Sequence, residues 1–148
     1  MSNTSINILQ PTEENIILIE KIRTRSYGIE KDNIEENYYT QQIRNGNYLV
    51  FVTLLDNKIV SGCYLSNAYN SLSVEQLFVR PEYQEKGLHL GKNLLKYILD
   101  NKYIIEEYFQ QKFTTSTISP ISEKSKKIYE SLGYTTTNKI FNIMGKKL

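Results

Sequence analysis

In the stretch Leu77-Phe78-Val79-Arg80-Pro81-Glu82-Tyr83-Gln84-Glu85-Lys86-Gly87-Leu88-His89-Leu90-Gly91-Lys92-Asn93-Leu94-Leu95, an apolar run closed by Arg80-Pro81 gives way to a polar, glycine-marked loop and then to leucines at helical spacing. The run from Leu72 to Val79 reads as a strand, and Leu90, Leu94, Leu95, Ile98 and Leu99 define an amphipathic helix reaching about Asn101. Where a strand feeds a helix through such a loop, the backbone N–H groups of the loop and first helical turn point outward together. With the positive end of the helix dipole they form a site for an anion such as a pyrophosphate. Gly87 and Gly91 allow close approach and positive φ, and Gln84, Lys86 and Lys92 add side-chain donors. A loop with two glycines is also simply how many helices start. It has neither a Gly-Lys-Ser/Thr closure nor the three-glycine dinucleotide spacing.

Towards the N-terminus, Ile6 to Leu9 reads as a short strand ended by Pro11. Thr12 then caps a helix with Glu13 and Glu14 in its first turn and Ile16, Ile19 and Ile22 as its stripe, down to Gly28. A second helix is expected from about Asp32, as its cap, to Arg44, with Asn45-Gly46 as its stop. Tyr48 to Leu55 and Ile59 to Leu65 are β-branched and aromatic runs on either side of Asp56-Asn57-Lys58, which predicts a hairpin; a polar bend from Asn67 to Ser71 leads into the next strand. Towards the C-terminus, Tyr103 to Gln111 either continues the amphipathic helix or forms a short one of its own. Phe113 to Ile118 reads as a strand, Ser122 caps a helix that ends at Gly133, and Thr135 to Leu148 is strand-like with a turn near Asn138. The order β, α, α, three strands, α, β, α, terminal strand predicts one α/β domain with helices on both faces of its sheet.

Composition narrows the chemistry. The 148 residues make a single domain the default, long enough to bury about two thirds of the unfolded surface without staples. One Cys, Cys63, and one His, His89, exclude a disulfide framework and leave too few ligands for a structural zinc site, so no metal is expected. A serine triad would need His89 as its base, and no nucleophile motif stands near it. A net charge of +2 demands no polyanion, no aromatic-basic interleaved strand suggests nucleic acid, and no apolar run approaches the ~20 residues of a membrane span. The polar start, Met1 to Gln10, lacks a signal pattern, and the expected localisation is cytoplasmic.

The quoted stretch resembles the acetyl-CoA motif of the GCN5-related N-acetyltransferases (GNAT), whose pattern is Arg/Gln-x-x-Gly-x-Gly/Ala after a strand. Two registers compete. Gln84-x-x-Gly87-x-His89 runs without a gap from Pro81, whereas Lys86-x-x-His89-x-Gly91 lengthens the loop by two residues and aligns Leu90, Leu94 and Leu95. The second is favoured for the helix, since burying Leu94 and Leu95 contributes on the order of 1.5–3 kcal/mol each. A further block, Ile118-Ser119-Pro120-Ile121-Ser122-Glu123-Lys124-Ser125-Lys126-Lys127-Ile128-Tyr129-Glu130-Ser131-Leu132-Gly133-Tyr134, resembles the family's V-x-x-x-N-x-x-A/S-x-x-x-Y-x-x-x-G-F/Y segment, with Ser122 in place of Asn. The two lie in the family's order, and the resemblance covers nearly the whole chain.

The resemblance implies a mixed, mostly antiparallel sheet and transfer of acetyl from acetyl-CoA to an amine. It implies that Leu77, Phe78 and Val79 flank the pantetheine arm, with a polarising N–H from around Phe78 or Val79. Gln84, Lys86, Gly87, Leu88, His89, Leu90, Gly91 and Lys92 would surround the phosphates, and Ser122, Ser125 and Tyr129 would face them from the later helix. Tyr129 stands where the family's tyrosine serves as general acid, although a tyrosine on an amphipathic helix is as readily a core aromatic in a chain with 12 of them. Glu75 is the carboxylate best placed to take the amine's proton, directly or through water. Cys63 reads as a small core residue. Acceptor choice would fall to Arg23, Arg25, Tyr27, Tyr38, Tyr39, Tyr64 and Tyr69, a set suited to a small amine or a peptide end; a homodimer is possible in such a fold. The alternative is a catalytically silent acyl-CoA-binding regulatory module, which the altered glycine pattern and Ser122 would permit.

Overall fold

The three apolar runs between residues 49 and 79 pair as consecutive antiparallel strands and form the centre of a seven-stranded sheet in the computed structural model, which describes residues 3–84 and 87–148. β1 (Thr4–Ile8) precedes two helices, α1 (Glu13–Ser26) and α2 (Tyr38–Arg44). β2 (Leu49–Leu55), β3 (Lys58–Ala68) and β4 (Ser71–Val79) come next. After them are α3 (Leu90–Asp100), α4 (Lys102–Phe109), β5 (Thr115–Ile118), α5 (Glu123–Ser131), β6 (Thr135–Asn138) and β7 (Ile143–Lys147). The strand order is β1-β2-β3-β4-β5-β7-β6, and β4–β5 is the one parallel pair among the described residues. A parallel neighbour requires a crossover, which α3 and α4 supply.

Both hairpins of the central meander turn on two consecutive left-handed residues, Asp56-Asn57 and Tyr69-Asn70. Two positive φ values in a two-residue loop match the twist of the flanking strands. The second turn is tighter than the expected bend from Asn67 to Ser71, because β3 and β4 keep pairing out to Ala68 and Ser71.

α1 and α2 cover one face, where Ile16, Ile19, Ile22 and Ile43 pack on Val50, Val52, Tyr64 and Phe78. α3, α4 and α5 cover the other, where Leu94, Leu95, Ile98, Ile105 and Tyr129 meet Phe51, Cys63, Leu65 and Leu72. Gly62 keeps the first face close-packed: a Cβ there would lie 2.6 Å from Phe78 Cζ and 3.2 Å from Ile19 Cδ1. Asn101 ends α3 (φ −117°, ψ 34°) and its side-chain amide donates to the Tyr97 carbonyl at 2.8 Å, so Tyr103 belongs to a separate helix.

The expected helix from Asp32 is a correction. α2 begins only after Asn37, whose side chain accepts from Thr40 N while Thr40 Oγ1 accepts from Asn37 N, a closed capping box. A capped start fixes the first turn, and between Asp32 and Asn37 only Ile34 offers an apolar side chain to bury.

Two irregularities mark β4. The β3–β4 register steps from Tyr64↔Gln76 to Leu65↔Val74, leaving Glu75 as the extra residue of a bulge. The parallel β4–β5 pairing covers only Leu72–Val74 against Ser116–Ile118, so β4 runs on to Val79 without a strand on that side.

Candidate functional site

Beyond Val74 the two central strands separate, and a cleft of about 550 Å³ opens against the free side of β4. Backbone N–H and C=O groups of a strand point alternately to its two neighbours. From Gln76 to Val79 those directed away from β3 therefore have no strand partner. Leu77, Phe78 and Val79 line this wall.

The second wall is the loop and first turn of α3: Gln84, Gly87, Leu88, His89, Leu90, Gly91 and Lys92 all line the cleft, while Lys86 lies outside the described residues. Gln84 Nε2 donates to the Val79 carbonyl at 2.8 Å, and Asn93 Nδ2 to that of Leu88 at 3.3 Å, so side chains from both ends brace the loop. Of the two glycines expected to take positive φ, only Gly87 does so (φ 70°); the other left-handed residue is His89 (φ 51°, ψ 40°), the N-cap of α3. Gly91 is instead an ordinary helical residue whose missing Cβ would sit 3.6 Å from Val79 Cγ2. The left-handed His89 falls on a motif glycine position in either register, the first in Lys86-x-x-His89-x-Gly91 and the second in Gln84-x-x-Gly87-x-His89, where Gly87 takes the first. Leu94 and Leu95 are fully buried. His89 makes no side-chain cap, so the first-turn amides of α3 face the cleft without a side-chain acceptor from it.

The third wall is α5, with Ser122, Ser125, Lys124, Ile128 and Tyr129. Ser122 and Ser125 form a capping box, each hydroxyl accepting the other's N–H at 3.0–3.1 Å. Ser122, which stands where the motif has asparagine, is thus the N-cap of α5. Tyr129 is mostly buried, edge-on to Tyr134 at 6.3 Å, and its hydroxyl has no hydrogen-bond partner among the described residues. Burial, then the neighbouring Cys63, Tyr27 and Tyr134, push its phenol well above the ordinary tyrosine range. Tyr129 therefore stays a protonated donor at the end of the cleft. Burial likewise pushes the Cys63 thiol up, the opposite of an activated nucleophile.

Ser26 and Tyr27, at the end of α1, close the cleft on the side of the first two helices. The Tyr27 hydroxyl donates to Gln76 Oε1 at 2.9 Å, and Gln76 Nε2 donates to the Tyr39 hydroxyl at 3.2 Å. Beyond that chain lies an aromatic cluster in which Tyr38, Tyr39 and Tyr48 meet at centroid distances of 5.7–6.4 Å. Glu75 belongs to this cluster rather than to the cleft: Ser66 Oγ donates to its Oε1 at 2.5 Å, and its charge helps burial push the Tyr48 phenol up.

Two of the expected groove residues are elsewhere. Tyr69 stands fully exposed at the β3–β4 turn, and Tyr64 is fully buried with its hydroxyl donating to Glu20 Oε2 at 2.7 Å. Arg23 and Arg25 are spoken for. Arg25 pairs with Glu82 at 3.0 Å and Glu30 at 3.4 Å, while Arg23 lies 4.0 Å over the Tyr39 ring and forks onto Glu20. Glu20 itself is a residue that the sequence reading missed. It is completely buried, and its two oxygens also accept from Tyr64 and, at 2.9 Å, from Asn37 Nδ2. A signal is present in the spacing: Glu20 falls four residues after Ile16 in the apolar stripe and three before Arg23. This network joins α1, the cap of α2 and β3 beneath the aromatic cluster.

A family model described as an acetyltransferase (GNAT) domain matches residues 20–147. Among solved structures, the fold is similar to the ribosomal-protein-S18-alanine N-acetyltransferase of Escherichia coli, with a TM-score of 0.69 at 16% identity over 98% of this chain and 94% of that one. It is also similar to the PaiA N-acetyltransferase of Thermoplasma acidophilum in complex with coenzyme A (TM-score 0.64, 20% identity, 99% of each chain). A streptothricin acetyltransferase described from Bacillus anthracis, in complex with acetyl coenzyme A, aligns over 77% of this chain and 70% of its own (TM-score 0.55, 19% identity). No curated protein matches the chain in sequence.

Proposed function

The chain belongs to the GNAT acetyltransferase family, and on that premise we propose that it moves an acetyl group from acetyl-CoA directly to an amine of a small molecule or peptide. The observation that carries this reading is the free edge of β4 from Gln76 to Val79, flanked by the loop and first turn of α3 on one side and Tyr129 on the other. Acetyl-CoA, when bound, supplies an acetyl thioester, a long amide-bearing arm and a pyrophosphate. The chain offers a complement to each. The groups of β4 without a strand partner suit the amides of the arm as an added strand would. The first-turn amides of α3, with Lys92 and Lys124 in the same cleft, suit the pyrophosphate. That two structural relatives are described in complex with coenzyme A or acetyl coenzyme A supports putting the donor here.

Within this arrangement a backbone N–H at the end of β4 polarises the carbonyl, and Tyr129 acts on the departing sulfur. A thiol ordinarily titrates near 8.5, below the raised phenol of Tyr129, so full proton transfer from tyrosine to thiolate runs uphill. Tyr129 therefore works as a hydrogen-bond donor to the developing negative charge, and the thiolate takes its proton afterwards from water. No carboxylate lines the cleft among the described residues, so the incoming amine loses its proton to water on the Tyr27 side of the cleft.

The reading predicts acetyl-CoA-dependent release of free thiol when the protein is incubated with a panel of primary amines, at a kcat of order 1–10³ s⁻¹ for a good acceptor. Retained acetyl-CoA binding with no release above the uncatalysed rate for any amine would instead favour a silent acyl-CoA-binding module.

A further inference from the structure

Glu75 is the single acid of β4, and the bulge turns its carboxylate towards the aromatic cluster. It takes part in no ion pair among the described residues, and its one hydrogen-bond donor there is the neutral hydroxyl of Ser66. The two arginines near the end of α1 are committed elsewhere, Arg23 to Glu20 and Arg25 to Glu82 and Glu30. A half-buried carboxylate without a counter-charge is unfavourable unless something cationic completes it. Beside it stands the ring of Tyr48: Leu49 pairs with Leu65, so Tyr48 lies across from Ser66, the residue that donates to Glu75, and Tyr38 packs on Tyr48 in turn. Tyr48 is buried and Tyr38 is 61% exposed, with the two rings edge-on at 6.3 Å, so the cluster opens to solvent at Tyr38. A carboxylate beside tyrosine faces is the chemistry that holds an ammonium ion.

Hydrogen bonds also tie the cluster to the cleft wall. Tyr27 reaches from the cleft wall to Gln76, and Gln76 to Tyr39, in a direct hydrogen-bonded chain. Along the strand, Glu75 precedes Leu77 and Phe78 by two and three residues, which at about 3.3 Å per residue is roughly 7–10 Å. We propose that Glu75, with the rings of Tyr38 and Tyr48, binds a second positive charge of the acceptor, so that the favoured acceptor is an aliphatic diamine with its other nitrogen at the cleft. The inference rests on the acetyltransferase reading, and gives the strand carboxylate a binding role in place of a proton-accepting one.

Cadaverine and hexylamine, which differ in the replacement of one terminal ammonium by a methyl group, test it. The wild type should favour cadaverine by at least about tenfold in kcat/KM, and Glu75→Gln should bring that ratio close to one through the KM for cadaverine rather than through kcat. Tyr38→Leu, at an exposed position, should lower the same ratio severalfold. Calorimetric titration of cadaverine into the CoA-loaded protein should show the matching loss of affinity in Glu75→Gln. A wild type that does not discriminate, or does not bind cadaverine, overturns the proposal, as does a Glu75→Gln variant that lowers kcat equally for both amines and steepens the pH profile. Acetyl-CoA binding, titrated separately, shows whether the failure lies in the diamine assignment or in the acetyltransferase reading beneath it.

Discussion

Replacing Tyr129 with Phe lowers kcat by about 10²-fold while leaving the affinity for acetyl-CoA within about threefold. The size comes from removing one preorganised donor aimed at a charge that develops only in the transition state, which typically amounts to 10²–10³ in kcat. The selectivity for kcat comes from geometry. Tyr129 is packed edge-on to Tyr134, so the phenylalanine ring fills the same space and the cleft wall is preserved. The raised phenol adds a second expectation. Because burial holds Tyr129 protonated, the wild-type rate should show no loss assigned to this group between neutral pH and about pH 10. Steady-state kinetics of thiol release across that range, with calorimetry for binding, check both. A Tyr129→Phe enzyme with unchanged kcat would reduce Tyr129 to a core aromatic.

Glu20→Ala should be the most destabilising single substitution on the acceptor side, by about 3–5 kcal/mol, because it strands a partly buried guanidinium and leaves Tyr64 and Asn37 without their acceptor. For a chain of this length that corresponds to roughly 10 °C in Tm. The effect is large because one carboxylate joins three elements: Arg23 on its own helix, the Asn37 cap of α2 and Tyr64 of β3. Glu20→Gln keeps one acceptor oxygen, for Tyr64 or for Asn37, turns the other into a donor and loses the charge facing Arg23, so it should fall between wild type and Glu20→Ala. Urea and thermal unfolding measure the series. A loss under about 1 kcal/mol for Glu20→Ala would mean that the network contributes nothing beyond its packing.

The donor side is the more legible half of this sequence because its information is local. A strand closed by Arg80-Pro81, a glycine-marked loop and the leucines of α3 are contiguous, and burial of Leu94 and Leu95 alone phases the helix. The same holds for α5, where Ser122 and Ser125 form their cap within four residues. Local reading does not reveal which residue takes the left-handed turn. His89 does so although Gly91 is nearby, because the helix starts at Leu90 and Gly91 already lies within it. The acceptor side depends on long-range contacts. Glu20 meets Tyr64 across 44 residues, and Tyr27 meets Gln76 across 49. No spacing rule reports such pairs, so Tyr64 reads as a groove residue in sequence although its hydroxyl is bound to a buried carboxylate. Glu75 is visible as an acid on the strand leading to the site. The bulge that turns it away from the cleft arises from a register step against β3.

The central claim, that the cleft between the diverging strands takes acetyl-CoA, is tested most directly by recording the backbone amides of isotopically labelled protein by NMR during titration with acetyl-CoA. Saturable binding is expected at one site, with a dissociation constant in the range of about 1 μM to 1 mM and the largest shifts at Leu77 to Val79, at Gly87 to Lys92 and at Ser122 to Tyr129. No shifts at millimolar acetyl-CoA, or shifts confined to other parts of the sheet, would contradict it.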